Sequence, residues 1–316
     1  MSASAPIATV PCPVTVDWPR EEGHLDDVGM ELWWLTSLLQ AGERRLSTFL
    51  LVFRIDPETV LVNAVVTDLQ TGVEMATRQA YPRAEVGLTQ NRLELVAPLA
   101  RYSGSFEDGY RVTADIDEDT GFELTMQPVN PILFNCGSGE FAMGQTTTKQ
   151  CGMGGLTTVG TVRLGGNRLE VTGASWYDRQ WFVDALPAGS IDRFTWLGIW
   201  LDNGDTISLW DRTVDDPEEQ SWATVVRADG THVVAAVPPV AGGATGTITT
   251  HAGHEVPSGW TVHIPGLAAT LEITQSVVQD DPTQSFFTGA LEVRGTYEGA
   301  PVTGRGVCDL VDWWAE

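Results

Sequence analysis

The sequence consists of short apolar runs separated by turn residues, and this pattern limits the fold more than any other feature. Leu46–Ile55 is rich in aromatic and β-branched residues, and Val60–Asp68 runs into a Gln-Thr-Gly turn. Thr157–Leu164 turns at Gly-Gly-Asn and returns as Arg168–Thr172. Such runs favour strands joined by tight turns, and long stretches with a helical apolar period are absent. The pattern predicts an all-β protein of antiparallel barrels or sandwiches.

The chain of 316 residues is long enough to form two such domains. We place the boundary near Pro187. This gives an N-terminal β domain over residues 1–186 and a C-terminal β-barrel domain over residues 187–316. Glu31–Leu39 and Leu46–Ile55 are predicted to form the first hairpin of the N-terminal domain.

A second hairpin is predicted around Asn203-Gly204, because Asn-Gly is the preferred dipeptide of a two-residue type I′ turn. A turn of that length would pair Trp200 with Ile207. Side chains alternate between the two faces of a strand, so Trp196 and Trp200 would lie on the same face.

The protein contains 42 acidic and 18 basic residues, which give it a formal net charge of −24. Such a charge repels phosphate and anionic lipid, so nucleic acid and membrane surfaces are not expected as partners. The N-terminus lacks the features of a signal peptide, and no stretch approaches the ~20 apolar residues that span a bilayer. The four cysteines lie far apart, without metal or redox spacing. We therefore expect a cytoplasmic protein without membrane insertion, metal or cofactor.

Gly173–Trp181 brings aromatic and charged residues together near the middle of the chain. Within six consecutive positions it carries three aromatic residues, one acid and one base. Trp176 and Asp178 are two residues apart, which puts both on one face of a strand and Tyr177 on the other. An acid that is removed from water among aromatic rings is favoured in its protonated form. Asp178 and Trp176 are therefore candidate site residues.

A structural role for Asp178 is the alternative interpretation. Its carboxylate would then pair with Arg179 or Arg193 and join two strands. The apolar residues just before Gly173 raise a second question, because they alternate onto the face opposite to Trp176. Either the polar face forms the pocket, or a bulge at Gly173 exchanges the two faces.

Two further aromatic stretches accompany this one. Glu31–Leu35 again places an acid beside tryptophans, and Phe194–Leu201 is an aromatic strand. Aromatic rings pack flat against extended or conjugated molecules. We predict that the three stretches line one pocket for a hydrophobic small molecule. The predicted wall residues are Trp33, Trp34, Trp176, Tyr177, Trp196 and Trp200.

Several segments together resemble one known superfamily. Glu31–Thr36 resembles the E-W-W-Y-x-T/G opening of the two-domain lipocalin-like proteins related to carotenoid 1,2-hydratase (hydroxyneurosporene synthase), which also include AttH-like proteins and lipocalin-like Diels–Alderases. Gly173–Trp181 resembles the G-x-a-W-x-D-h/r-x-W signature, and Thr195–Gly204 resembles the W-x-x-l-x-L-d-d-G hairpin. The closing strands of the family are resembled by Gly289–Val293 and Gly304–Leu310. The resemblance implies two antiparallel lipocalin-like β-barrels with little helix.

Three positions depart from the family pattern. Leu32 stands where the family has its first tryptophan, Trp34 replaces the tyrosine, and Asp309 replaces the closing glutamate. In the hydratases of the family, a Tyr/Trp-x-Asp pair is implicated in protonating the alkene. Trp176 and Asp178 match that pair.

The resemblance implies three alternative functions. The first is a cofactor-independent intramolecular cyclase of the Diels–Alderase or pericyclase type, which acts on a polyene or polyketide-derived intermediate in natural-product biosynthesis. Its pocket would select one folded conformer, while Glu31 or Asn130 holds a polar group of the substrate. The second is a hydratase or isomerase with Asp178 as proton donor, and the third is a non-catalytic carrier of an apolar ligand. The predicted catalytic residues are Asp178, Glu31 and Trp176. The predicted substrate-binding residues are Trp33, Trp34, Asn130, Trp196, Trp200 and Tyr177.

Overall fold

The computed structural model describes residues 13–143, 146–184, 194–212, 221–250, 253–281 and 286–311. Strands make up 68% of the structure and helices 5%, so the predicted all-β fold of antiparallel sheets is confirmed. No helix within the described ranges has the length and apolar character needed to cross a membrane. The helical segments are single 3₁₀ turns at Arg20–Glu22, Arg83–Glu85, Asn135–Gly137, Val240–Gly243 and Pro265–Leu267.

The strands, in chain order, are β1 (Met30–Ala41), β2 (Arg44–Arg54), β3 (Thr59–Asp68), β4 (Glu74–Pro82), β5 (Gly87–Leu88), β6 (Leu93–Val96), β7 (Ala100–Ser105), β8 (Gly109–Asp115), β9 (Gly121–Gln127), β10 (Leu133–Phe134), β11 (Glu140–Met143), β12 (Thr146–Leu164), β13 (Asn167–Phe182), β14 (Phe194–Leu201), β15 (Thr206–Asp211), β16 (Ser221–Val226), β17 (His232–Ala236), β18 (Thr247–Thr249), β19 (Glu255–Pro257), β20 (Gly259–Ile264), β21 (Ala269–Asp281), β22 (Phe286–Tyr297) and β23 (Ala300–Val311).

The described residues form two compact units. The N-terminal unit contains residues 14–129 and 139–184, and the C-terminal unit contains residues 130–138 and 194–311. The segment 130–138 is held in the C-terminal unit by backbone hydrogen bonds, for example from the Cys136 N–H to the Thr224 hydroxyl at 2.9 Å. The predicted boundary at Pro187 lies outside the described residues.

Each unit is a curled antiparallel sheet in which the first long strand pairs with the last. In the N-terminal unit the order is β4-β3-β2-β1-β13-β12-β9-β8-β7-β6-β5, so β1 lies between β2 and β13. In the C-terminal unit the order is β17-β16-β15-β14-β23-β22-β21-β20, so β14 lies between β15 and β23. Pairing the two ends of a strand series in this way leaves fewer open edges on each sheet.

The hairpin between β14 and β15 differs from the prediction by one residue. Trp200 pairs with Thr206, and Ile207 pairs with Ile199. The Leu201 N–H bonds the Asp205 carbonyl at 2.9 Å, which encloses three loop residues instead of two. Gly204 takes φ +89° in this loop, a left-handed conformation that favours glycine. Trp196 and Trp200 still share one face, as predicted.

Strand β13 shows which of the two proposed arrangements at Gly173 is present. β1 and β13 pair without a register shift from Met30 opposite Phe182 to Gln40 opposite Thr172, so β13 has no bulge at Gly173. The face of Trp176 and Asp178 is therefore opposite to the apolar face of the same strand. The register shift of this region lies on β12, between Met153 and Leu156.

The apolar face of β13 belongs to the interior of the N-terminal unit. Tyr177 contacts two tyrosines from β7 and β8, with ring centroids 5.2 Å from Tyr102 and 5.4 Å from Tyr110. Other fully buried residues of this unit include Leu35, Leu50, Val52, Val112, Leu124 and Met126. Residues 175–182 are buried on both faces of the strand.

Candidate active site

Asp178 lies in a row of cross-strand neighbours at the centre of the N-terminal sheet. Trp34 of β1 pairs with it on one side and Gly152 of β12 on the other. Residues paired directly across antiparallel strands point to the same face, so Trp34, Asp178 and Trp176 share a face. Asp178 is only 4% exposed, and both indoles are buried. The structure thus brings a carboxyl group and two indoles together.

Two residues of β12 position the Asp178 carboxyl group. The Gln150 side-chain amide donates a hydrogen bond to Asp178 Oδ2 at 3.1 Å. Gly152 leaves the space that the carboxyl and the Trp176 ring occupy, because a Cβ atom at this position would be 2.6 Å from Asp178 Oδ1 and 3.0 Å from the indole. The site therefore depends on an amide donor and on a missing side chain.

Arg179 does not share the face of Asp178. It lies on the other face of β13, where Arg179 Nη2 forms an ion pair with Glu31 Oε2 at 2.5 Å. Arg193, the other predicted partner of Asp178, lies outside the described residues.

Glu31 is the centre of a buried ion cluster on that opposite face. Its carboxylate is fully buried and accepts hydrogen bonds from Arg179, from Arg54 Nε at 2.9 Å and from the Leu25 N–H at 3.2 Å. His24 Nδ1 completes the group of partners. Burial opposes ionisation of Glu31, but Arg179, His24 and Arg54 outweigh it and lower the pKa to about 2. Glu31 is thus an ionised member of a structural network and does not face Trp34 and Asp178.

The two arginines also hold the chain segment before β1. Arg179 donates to the backbone carbonyls of Glu21 at 3.2 Å and of Gly23 at 2.8 Å. Arg54 donates to the Val28 carbonyl at 2.9 Å. Trp33 shares this face, where its indole N–H bonds the Glu22 carbonyl at 2.9 Å and its ring lies 4.1 Å from the Arg179 guanidinium. Trp33 and Tyr177 therefore belong to the interior network, on the side away from Asp178.

Glu22 is a second buried acid in this interior. It is 1% exposed, and neither of its carboxyl oxygens has a well-aligned hydrogen bond to a described residue. Burial raises its pKa to about 8, although the Tyr110 and Tyr177 hydroxyls and the Arg179 charge act in the opposite direction. Glu22 is consequently neutral at pH 7, in contrast to Glu31.

The third predicted stretch and the predicted anchor Asn130 lie in the C-terminal unit. Trp196 is buried and donates its indole N–H to Ser208 Oγ at 2.9 Å. Trp200 is half-buried and lines an open groove of about 570 Å³. The Asn130 amide donates to the Thr206 hydroxyl at 3.4 Å. Of the three stretches, the first two are thus adjacent strands of one sheet, and the third is a strand of the other sheet.

Sequence reasoning did not identify Gln150, Gly152 or Glu22. The glycines around Gly152 were interpreted as a loop before a strand that begins at Thr157, whereas β12 begins at Thr146. A strand of that length would have placed Gln150 and Gly152 beside Asp178. No local pattern distinguishes Glu22 from the exposed acids around it.

Comparison with known proteins identifies relatives of the chain. The AttH-like family model matches residues 9–312. The dehydratase asqC of Emericella nidulans is 23% identical over 205 residues, and the kievitone hydratase of Fusarium solani subsp. phaseoli is 26% identical over 208 residues. These alignments cover 60% and 62% of the chain and 58% of each relative. The chain thus matches less than two thirds of the length of these relatives.

Two solved structures are similar to the chain over nearly its whole length. A protein of the AttH type from Nitrosomonas europaea has a TM-score of 0.78 at 18% identity, with coverage of 96% of this chain and 99% of that one. A kievitone hydratase from Nectria haematococca has a TM-score of 0.73 at 18% identity, with coverage of 94% and 92%. At this identity the similarity shows the fold, and it confirms the predicted lipocalin-like architecture.

Proposed function

The chain belongs to the AttH-like family, and from that premise we propose that it is a cofactor-independent hydro-lyase. It adds water to, or removes water from, a hydrophobic substrate with conjugated double bonds. Support comes from the two relatives named above, one a dehydratase and the other a hydratase. The observation that carries the proposal is the buried carboxyl of Asp178 beside Trp34 and Trp176.

In the hydration direction, the Asp178 carboxyl transfers its proton to one alkene carbon, and the alkene electron pair forms the new C–H bond. The neighbouring carbon becomes cationic and is stabilised by the faces of the Trp34 and Trp176 indoles. Water adds to that carbon and releases a proton, which returns to the Asp178 carboxylate. Dehydration follows the same steps in reverse.

Three features of the site support these roles. Removal from water favours the neutral, proton-carrying form of a carboxyl group. The Gln150 amide fixes the orientation of the Asp178 carboxyl. The adjacent indoles provide an apolar surface for a conjugated chain, and positioning of the reacting atoms lowers the barrier further.

The test uses conjugated probes in H₂¹⁸O and in D₂O. Purified protein is incubated with trans-chalcone or trans-retinal, and the reverse reaction is followed with the hydrated form of each probe. A hydratase product gains one ¹⁸O and one deuterium. We expect Asp178→Asn to abolish the reaction, since an amide cannot deliver the proton. Asp184→Asn, a change at an exposed acid six residues further on, is the matched control.

The same experiment tests the other two predicted functions. A cyclase yields a product of unchanged mass without either label, and a carrier binds the probe but leaves it unchanged. Neither relative named here is described as a cyclase, so cyclisation stays a prediction. An unlabelled product formed equally well by the Asp178→Asn variant would refute the hydro-lyase proposal.

A further inference from the structure

A second buried acid with aromatic neighbours occurs in the C-terminal unit. Strand pairing places Trp222, Trp210, Trp196, Asp309 and Thr288 directly beside one another across five adjacent strands, β16, β15, β14, β23 and β22. We call these five residues the transverse row. Because neighbouring strands are about 4.8 Å apart, the distance along the sheet from Asp309 to Trp222 is roughly 14 Å. Directly paired residues point to one face, so the row is a continuous surface with an acid near one end.

The indoles of the row are held in defined orientations. Trp210 and Trp222 are nearly parallel, with an interplanar angle of 14° and ring centroids 6.3 Å apart. Phe194 packs against Trp210 at 5.0 Å between centroids. The Trp196 indole N–H is fixed by Ser208. Fixed rings of this kind provide a flat surface at little entropic cost on binding.

Asp309 presents a polar atom to this surface. Its side chain is 9% exposed, and Thr288 Oγ1 donates a hydrogen bond to Oδ1 at 2.8 Å. Oδ2 makes no hydrogen bond to another described residue. Burial raises the Asp309 pKa to about 8, so the carboxyl carries a proton at neutral pH. With Oδ1 acting as acceptor from Thr288, Oδ2 is the oxygen that can donate.

The charged groups on the same face lie further along the strands. Glu292 and Arg305 are four residues from Thr288 and Asp309, respectively, and pair with each other at 4.0 Å. Strand β14 carries no ionisable residue, and Cys308 alternates onto the opposite face of β23. The row is therefore apolar apart from its hydroxyl groups and the protonated acid.

We propose that the transverse row is a binding site for a planar conjugated ketone, whose carbonyl oxygen accepts a hydrogen bond from Asp309 Oδ2 while its rings lie along Trp196 and Trp210. A neutral carboxyl donor selects a carbonyl oxygen over an apolar atom of the same shape, because its O–H would otherwise remain unpaired. This binding site is separate from the Asp178 residue set and does not depend on the hydro-lyase proposal.

The test compares two probes that differ in the carbonyl group. trans-Chalcone has two aromatic rings joined through an enone, whereas trans-stilbene has the same rings without the carbonyl. We expect the full-length protein to bind chalcone about three- to tenfold more tightly than stilbene at about pH 6, measured by calorimetry or equilibrium dialysis. The preference should vanish above about pH 9, where Asp309 loses its proton.

Two substitutions assign the effect to Asp309. Asp309→Asn keeps a donor at every pH, so its preference for chalcone should persist above pH 9, provided that circular dichroism shows an intact sheet. Asp309→Val removes the donor and should bind both probes equally at pH 6. Asp178→Asn should leave the preference unchanged. Equal binding of the two probes by the wild-type protein, or a preference that depends on Asp178 and not on Asp309, would overturn the proposal.

Discussion

Gly152 lies directly opposite Asp178 in the β12–β13 pair, and a Cβ atom on Gly152 would be only 2.6 Å from Asp178 Oδ1. The carboxyl and the Trp176 ring therefore occupy the volume of a missing side chain. This relationship makes a backbone position on one strand part of the candidate active site on the next.

Gly152→Ala is the direct test of this relationship. The added methyl group would displace the Asp178 carboxyl, so we expect hydro-lyase activity to fall at least about tenfold. Overpacking should cost roughly 1–3 kcal/mol in the free energy of unfolding. Gly87→Ala is the control, since its Cβ would meet neighbours at an ordinary 3.6 Å. Full activity of Gly152→Ala would show that the carboxyl position is not critical.

Gln150→Leu removes the amide that donates to Asp178 Oδ2. Because Gln150 acts through Asp178, it is a positioning residue, and we expect a lower kcat with little change in KM. The loss of one hydrogen bond to the acid corresponds to about a tenfold decrease. Gln150→Glu should alter the pH dependence of kcat as well, since it places a second carboxyl beside the first. Identical pH profiles for all three proteins would argue against this role.

Glu31→Gln should destabilise the N-terminal unit strongly. The substitution leaves Arg179 and Arg54 buried without their counter-charge, which costs about 3–5 kcal/mol. The lowered pKa of Glu31 means that its contribution is fully present above about pH 4.5 and is lost as the pH falls towards 2. The wild-type free energy of unfolding should therefore decrease over this range by up to about 3 kcal/mol more than that of the variant. Urea titrations at several pH values measure the difference, with the exposed Glu43→Gln as control.

Glu22→Gln should have the opposite pH dependence. The pKa of Glu22 is raised to about 8 in the folded protein, so its neutral form stabilises the fold below about pH 4.5. That stability is lost as the pH rises through 8, by up to roughly 5 kcal/mol. The neutral amide should therefore make the variant the more stable protein at pH 9. Parallel stability curves for wild type and variant would contradict a buried, neutral Glu22, and the exposed Glu85→Gln serves as control.

Much of the fold could be predicted from the sequence, because strand runs and turn residues are local signals. The β14–β15 hairpin shows the limit of that reasoning. Asn203-Gly204 indicated a two-residue turn, but the pairing of Leu201 with Asp205 uses a three-residue loop with Gly204 in the left-handed region. Both turns accept glycine at that position, so the dipeptide alone does not determine the register.

The candidate site could be predicted only in part. The pairing of Trp176 with Asp178 follows from alternation along one strand, and the same alternation disfavours an ion pair between Asp178 and Arg179. The partner of Arg179 is Glu31, 148 residues earlier in the chain. No local signal shows such a pairing. Gly152 was equally difficult to recognise, since its glycine is required by side chains on the neighbouring strand and not by a turn.

The distance in sequence between Glu31 and Arg179 also bears on how the protein is made. As the chain leaves the ribosome, Glu31 emerges long before the arginine on β13 that neutralises it. Strand β1 likewise has its second neighbour only when β13 has been synthesised. Closing so long a loop is slow, and the early strands expose an unpaired edge in the meantime. The N-terminal half thus depends on chaperones or on rapid translation until residue 182 is free.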